Sequence, residues 1–202
     1  MKVLWFAVNP SLYDAHRNGE HNGGGWIASL EKIIRTSDNI RLGVAFEHPD
    51  PIFKKEIDGV CYYPIRVKPG LRRRIYASEK DKIIIADCLK VIEDFKPDII
   101  HVFGSEWGFG LVEKYVDIPV VIHMQGSLPP YVNASYPPGY NFFTQWKTSH
   151  YNPIVLLKRR FVWSRNDNYK VAREIDILKH CRYVMGLQYH TPVCPRLTIL
   201  SL

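Results

Sequence analysis

The sequence is poor in cysteine, has no long apolar run and carries no tight glycine fingerprint after its first strand. Its 4 cysteines, Cys61, Cys88, Cys181 and Cys194, are scattered without CxxC or Cys/His ligand spacing. That pattern argues against a disulfide framework or a zinc module, and free thiols in a reducing compartment are expected. No stretch reaches the ~18–20 uncharged apolar residues that span a bilayer. The apolar start Lys2–Ala7 runs into Asn9-Pro10 with no small-residue cleavage site, so it reads as a strand and not a secretory signal. No G-x-G-x-x-G follows that strand closely, which excludes the ordinary dinucleotide turn. Internal repeats, coiled-coil heptads and low-complexity tracts are also missing. A cytoplasmic protein is expected.

What is present is ordinary in bulk and uneven in detail. An apolar share of 46% and a charged share of 23% over 202 residues allow one sizeable globular domain. The net charge of +7 is concentrated at one end. Residues 1–144 hold 17 basic and 17 acidic side chains, whereas residues 145–202 hold ten basic side chains against Asp167, Glu174 and Asp176. Such asymmetry points to an anionic partner for the last third. No nucleic-acid recognition motif accompanies the charge, so nucleic acid ranks last among such partners.

Apolar spacing predicts alternating strands and helices. Strands are expected at Lys2–Val8, Ile40–Phe46, Val60–Ile65, Ile99–Phe103, Pro119–Met124 and Tyr183–Gly186. Trp26, Ile27, Leu30, Ile33 and Ile34 mark one helix. A second, with Ile84, Cys88, Val91, Ile92 and Phe95, follows the basic turn Lys68–Arg74 and a capping-box-like Ser78-x-x-Asp81, and stops at Lys96-Pro97. A short helix is expected from Gly108 to about Tyr115, and Val171, Ile175 and Leu178 mark a late one. Continuous apolar strands alternating with helices predict a parallel sheet covered on both faces, a Rossmann-like three-layer α/β/α fold. Residues 187–202 are expected to form an irregular tail.

Asn22-Gly23-Gly24-Gly25-Trp26 stands between the first strand and the first helix. Glycines there let backbone N–H groups approach a ligand closely, and the helix N-terminus favours anions such as phosphate. A flexible turn fits the same residues equally, and the roughly fifteen residues between strand and glycines are too many for a dinucleotide turn. Residues 127–165 form a long excursion without clear period. It interleaves Tyr131, Tyr136, Tyr140, Phe142, Phe143, Trp146, Tyr151, Phe161 and Trp163 with Lys147, Lys158, Arg159 and Arg160. Aromatic and basic residues together suit an anionic membrane interface. The balance favours an anionic partner for the charges, and a cover over the domain's own core and cleft for the aromatics.

The order of these segments resembles a known family. The strand, glycine-rich loop and helix, then Lys96-Pro97-Asp98-Ile99-Ile100-His101-Val102, then Pro119-Val120-Val121-Ile122-His123-Met124-Gln125-Gly126-Ser127, look like the first half of a family 4, GT-B-fold glycosyltransferase. Glu174 to Gly186 resembles that half's last helix and strand. The resemblance covers residues 1–186. It implies the N-terminal, acceptor-side domain of a retaining, metal-independent, hexosyltransferase-like enzyme of polysaccharide biosynthesis. It implies no cofactor, a nucleotide-sugar donor as substrate, and a glycan or lipid-linked acceptor. The family's C-terminal nucleotide-sugar-binding domain has no counterpart here, so a truncated and inactive product is expected, with self-association through the face that domain would cover. Peripheral attachment at the inner face of an anionic membrane is a further expectation. A stand-alone sugar- or polyanion-binding module is the rival reading.

The resemblance also suggests site residues. Gly23, Gly24 and Gly25 match the loop that faces the donor diphosphate. Asn22, Ser105, Glu106, Trp107, Gln125, Gly126 and Ser127 are the acceptor or sugar-binding candidates. Glu106 could accept from a hydroxyl there, although a solvated loop carboxylate fits equally, and Trp107 could stack on a sugar ring. Gln125 stands where many members carry His, and its amide keeps hydrogen bonding but not acid–base chemistry near neutrality. His101, ending a buried strand, is read as a core imidazole. The catalytic residues are not identified by these motifs, and no metal is expected.

Overall fold

Continuous burial of the first strand, on both of its faces, sets the architecture. In the computed structural model, which describes residues 1–13, 25–49, 53–66, 77–134, 138–186 and 198–199, β1 (Lys2–Ala7) lies in the middle of an eight-stranded sheet. Its side chains point alternately to two faces. Leu4 and Phe6 enter one core, while Val3, Trp5 and Ala7 enter the other. Leu4 and Phe6 are fully buried, each worth about 1.5–3 kcal/mol of apolar burial.

The other strands are β2 (Arg41–His48), β3 (Lys55–Ile57), β4 (Val60–Arg66), β5 (Ile99–Phe103), β6 (Val120–Met124), β7 (Tyr183–Gly186) and β8 (Thr198–Ile199). Their order is β3-β4-β2-β1-β5-β6-β7-β8. All neighbours pair in parallel except β3 and β4, an antiparallel hairpin turning through Asp58 (φ 48°) and Gly59 (φ 77°). That hairpin was not expected from the strand pattern. Asp-Gly between β-prone residues is its signal, since the type of turn needed here takes two positive φ values. β8 pairs with β7 inside the stretch expected to be irregular; the remainder of 187–202 lies outside the described residues.

Helices cover both faces, as expected for three layers. α1 (Gly25–Ile34) contributes Ile27 to the core of Trp5, Val44, Phe46 and Tyr62. The opposite face receives α2 (Ala77–Phe95), a 3-10 segment (Gly108–Tyr115) and a late helix. Ile84, Cys88, Val91, Ile92 and Phe95 are the buried apolar side chains of α2, at the expected 3.6-residue period. Lys96 ends it in the left-handed region (φ 53°), and Pro97 forbids continuation.

The excursion is more ordered than its composition suggested. It contains α3 (Leu128–Asn133), α4 (Phe142–Thr148) and α5 (Pro153–Leu157), which runs through a π-helical stretch (Lys158–Trp163) into α6 (Ser164–His180). Asparagine caps start two of these helices. Asn141 accepts from the Thr144 N–H at 3.0 Å, and Asn152 accepts from Ile154 and Val155 at 2.9 and 3.3 Å. Its described aromatics are absent from the buried core, contrary to the balance of the sequence evidence, and Tyr136 lies outside the described residues. Phe142, Phe143, Tyr151, Phe161 and Trp163 are exposed.

Two expectations about helix faces are also corrected. α6 does not bury Val171, Ile175 and Leu178 as its main face; its buried residues are Arg173, Glu174 and Ile177. Asp81 does not serve a capping box. Its carboxylate is buried and receives both hydrogen bonds from Arg173 Nη1, at 2.8 Å each, and one from Tyr169 at 2.9 Å. A buried charge is tolerable only with such partners.

Candidate functional site

β1 is where the sheet order changes direction, because the chain proceeds from it to β2 on one side and later to β5 on the other. Open α/β sheets form a crevice beyond the carboxyl ends of strands at that point. A cavity of about 240 Å³ opens there. Val8 and Asn9 enter it from the end of β1, Phe103 and Trp107 from the end of β5, Gln125 from the end of β6, and Gly25, Trp26 and Ile27 from the start of α1.

Three segments singled out from sequence thus meet in one place through Gly25, Trp107 and Gln125. Gly25 has φ +45°, and a Cβ built on it would meet nothing within 4 Å. Its backbone therefore faces open space at the amino end of a ten-residue helix, where N–H groups favour an anion. Asn22, Gly23 and Gly24 lie outside the described residues. Gly126 and Ser127 are exposed beside Gln125 but are not among the cavity's walls.

Ser105 and Glu106 behave differently from expectation. Ser105 is fully buried, and its hydroxyl donates to Glu174 at 2.5 Å, with the Gly126 carbonyl at 3.4 Å. Glu174 accepts from the Leu128 N–H as well, at 2.7 Å. Ser105 is therefore a brace that ties the loop after β5 to the loop after β6 and to α6. Glu106 turns back over Gly104, whose φ is +93° and whose missing Cβ would sit 2.7 Å from Glu106 Oε2. The Glu106 carbonyl accepts from Arg173 Nη2, and its side chain is not part of the cavity wall. The same Arg173 holds Asp81, so a buried ion pair on the far side fixes the loop that carries Trp107.

Beneath the cavity lies a ring cluster. Trp26 packs on Phe103 (centroids 5.2 Å apart) and on His123 (5.0 Å). His123 in turn stacks on His101, with 11° between planes and 3.3 Å between Nδ1 and Nε2. Burial and the neighbouring His123 push the His101 imidazole down to about 3, and burial lowers His123 too. His101 is a core imidazole as expected. Near neutrality both rings are uncharged, so the layer packed behind Trp26 and Phe103 carries no net charge.

None of the cavity-lining side chains ionises in the ordinary pH range. The wall offers two indoles, two amides (Asn9 and Gln125) and helix N–H groups: stacking, hydroxyl recognition and anion contact. Asn9 was not singled out from sequence. Its position as the polar residue just past a buried strand is the signal that could have found it. Among the described residues no three His, Cys, Asp or Glu side chains group to hold a metal ion.

No protein-family model and no curated protein matches the chain by sequence. In three dimensions it is similar to sucrose-phosphate synthase from Thermosynechococcus elongatus, at 8% identity and a TM-score of 0.55 over 91% of this chain. A second structure of that synthase aligns at 8% identity with a TM-score of 0.56, over 98% of this chain and 87% of the other. MurG from Acinetobacter baumannii aligns at 14% identity, over 98% of this chain and 45% of that one, with a TM-score of 0.48. The chain has the fold of one half of a GT-B glycosyltransferase. It spans 41% of the length of the first synthase chain.

Proposed function

We propose that this chain is the acceptor-side half of a glycosyltransferase that moves a sugar from a nucleotide-sugar donor to a glycan or lipid-linked acceptor, with retention and without a metal. The reading rests on one observation: Gly25, Trp107 and Gln125 line a single cavity at the switch point of a glycosyltransferase-like fold. In this reading the α1 amino end faces the donor diphosphate, Trp107 stacks on a sugar ring, and the Asn9 and Gln125 amides sort hydroxyl groups. The family resemblance assigns most donor contacts to an opposing half, and on this reading the reaction needs both.

The test is a titration of the purified chain with uridine and guanosine diphosphate sugars, followed by backbone-amide NMR. Weak binding is expected, with shifts confined to Gly25, Trp26, Trp107 and Gln125. Micromolar affinity for the isolated chain would overturn the half-site reading. Shifts centred away from those residues would overturn the placement of the site.

A further inference from the structure

A second cavity, of about 330 Å³, opens among the helices of the excursion and is larger than the one at the switch point. Val132 of α3 and Tyr140 line it, with Arg159 and Trp163 of the π-helical stretch and Asp167 and Asn168 of α6. The π-helical stretch runs directly into α6, so Arg159, Trp163 and Asp167 follow one another at four-residue spacing along one face. They span about 10–12 Å of helix axis. π-Helical turns are rare and occur frequently at functional positions. Arg159 is half-buried, and its Nη1 donates to the Thr148 hydroxyl at 3.0 Å and to the Tyr140 hydroxyl at 3.3 Å. Those hydroxyls hold the guanidinium without neutralising it. No carboxylate among the described residues pairs with it: no acidic residue occurs between Asp117 and Asp167, and Asp167 takes Lys170 at 3.0 Å. Such an arginine is a fixed fork for a carboxylate. Its guanidinium stands 5.7 Å from the Trp163 ring centroid, and the indole stays 44% exposed. Further along the row, Asn168 is exposed and offers an amide donor and acceptor.

We infer that this second cavity binds an acidic sugar, a pyranose that carries a carboxylate. Arg159 takes the carboxylate, Trp163 packs on the ring, and Asn168 and Asp167 take the hydroxyl groups. A sugar phosphate or a nucleotide fits less well. A phosphate monoester carries about −1.5 to −2 charge at pH 7. Arg159 alone answers one negative charge, and Asp167 in the same row repels a second. Nothing in the sequence marked these side chains as contacts for a sugar. The two cavities are neighbours, because Gln125 lines the first and Val132, seven positions later, lines the second. With α3 helical from Leu128, their Cα atoms are at most about 17 Å apart. α6 steadies both, through Glu174 on the Leu128 N–H and through Asn168 in the cavity itself. A role as a distal subsite for a remote unit of the acceptor rests on the glycosyl-transfer reading, whereas the binding itself does not.

The test titrates the full 202-residue chain with cellobiuronic acid, a disaccharide of glucuronic acid and glucose. Cellobiose, which has a hydroxymethyl group in place of the carboxylate, is the neutral control. Indole N–H signals of the 5 tryptophans report where the sugar sits. The acid should shift the Trp163 signal, and cellobiose should bind at least about tenfold more weakly, the worth of one charge-assisted bond. Arg159→Gln should abolish that preference, and Trp163→Ala should weaken both sugars. Arg159 also bridges two hydroxyls, so circular dichroism and urea midpoints check that its variant folds. Asn168→Ala, at an exposed position, tests the cavity without that bridge and should weaken the acid by about three- to tenfold. Equal affinity for the two sugars, or no binding of the acid, overturns the inference. So do shifts at Trp26 and Trp107 in place of Trp163, or parental binding by both Trp163→Ala and Asn168→Ala. Tighter binding of glucose 6-phosphate or uridine monophosphate would assign the cavity to a phosphate and overturn it too. No nucleotide sugar enters the assay, so its failure leaves the glycosyl-transfer reading standing.

Discussion

Glu174 on α6 joins two loops at once: one carboxylate oxygen takes the Ser105 hydroxyl at 2.5 Å, and the other takes the Leu128 N–H at 2.7 Å. Those loops follow β5 and β6 and deliver Trp107 and Gln125 to the cavity. The carboxylate is buried, and it makes the site's geometry dependent on a helix that contributes nothing to its wall.

Replacing Glu174 by Ala should therefore destabilise the fold by about 2–4 kcal/mol, since it orphans a buried hydroxyl and a backbone donor. Glu174→Gln should cost less, because the amide oxygen can still accept one of the two bonds. Urea unfolding of both variants checks the order. Equal midpoints for Glu174→Ala and the parent chain would show that the brace carries no stability.

Acid should weaken the fold through the ring cluster. His101 titrates at about 3 when folded and near its ordinary value of 6.5 when unfolded. Between those values the unfolded chain holds a proton that the folded chain lacks. Stability is then complete above about pH 6.5 and falls as pH is lowered towards 3, by up to about 1.4 kcal/mol per pH unit. His123, also lowered by burial, adds a contribution of the same sign. Denaturant midpoints measured across this range should flatten in His101→Gln. An unaltered pH slope in that variant would remove His101 as the cause.

Gly25 should tolerate side chains according to backbone strain alone, because its surroundings leave room for a Cβ. At φ +45° a Val should cost about 1–2 kcal/mol, and Asn, which visits the left-handed region more readily, should cost less. Thermal melts of the two variants distinguish them. Equal penalties would point to a steric clash instead of the backbone.

Much of the fold was legible because hydrophobic periodicity is local. The strands at residues 2, 99 and 119 and the helix ending at Phe95 could each be read from neighbours in sequence, and Pro97 marked a stop by chemistry that needs no partner. The β3–β4 hairpin was readable from Asp58-Gly59 but rests on only three residues of strand. The faces of α6 were not readable. Arg173 and Glu174 look like solvated charges until partners 92 and 69 residues away in the chain are placed beside them.

The site divides along the same line. Sequence by itself determined that glycine, Trp107 and Gln125 stand at strand or helix ends, since apolar runs fix where strands stop. Only the tertiary structure decided that Gly25, Trp107 and Gln125 share a wall, that Ser105 and Glu106 turn away from it, and that Phe142, Phe143, Tyr151, Phe161 and Trp163 are exposed. Burial of a polar group depends on whether a distant partner compensates its lost hydration, and exposure of an apolar group depends on what packs over it. Neither partner is encoded in the residue's own surroundings along the chain.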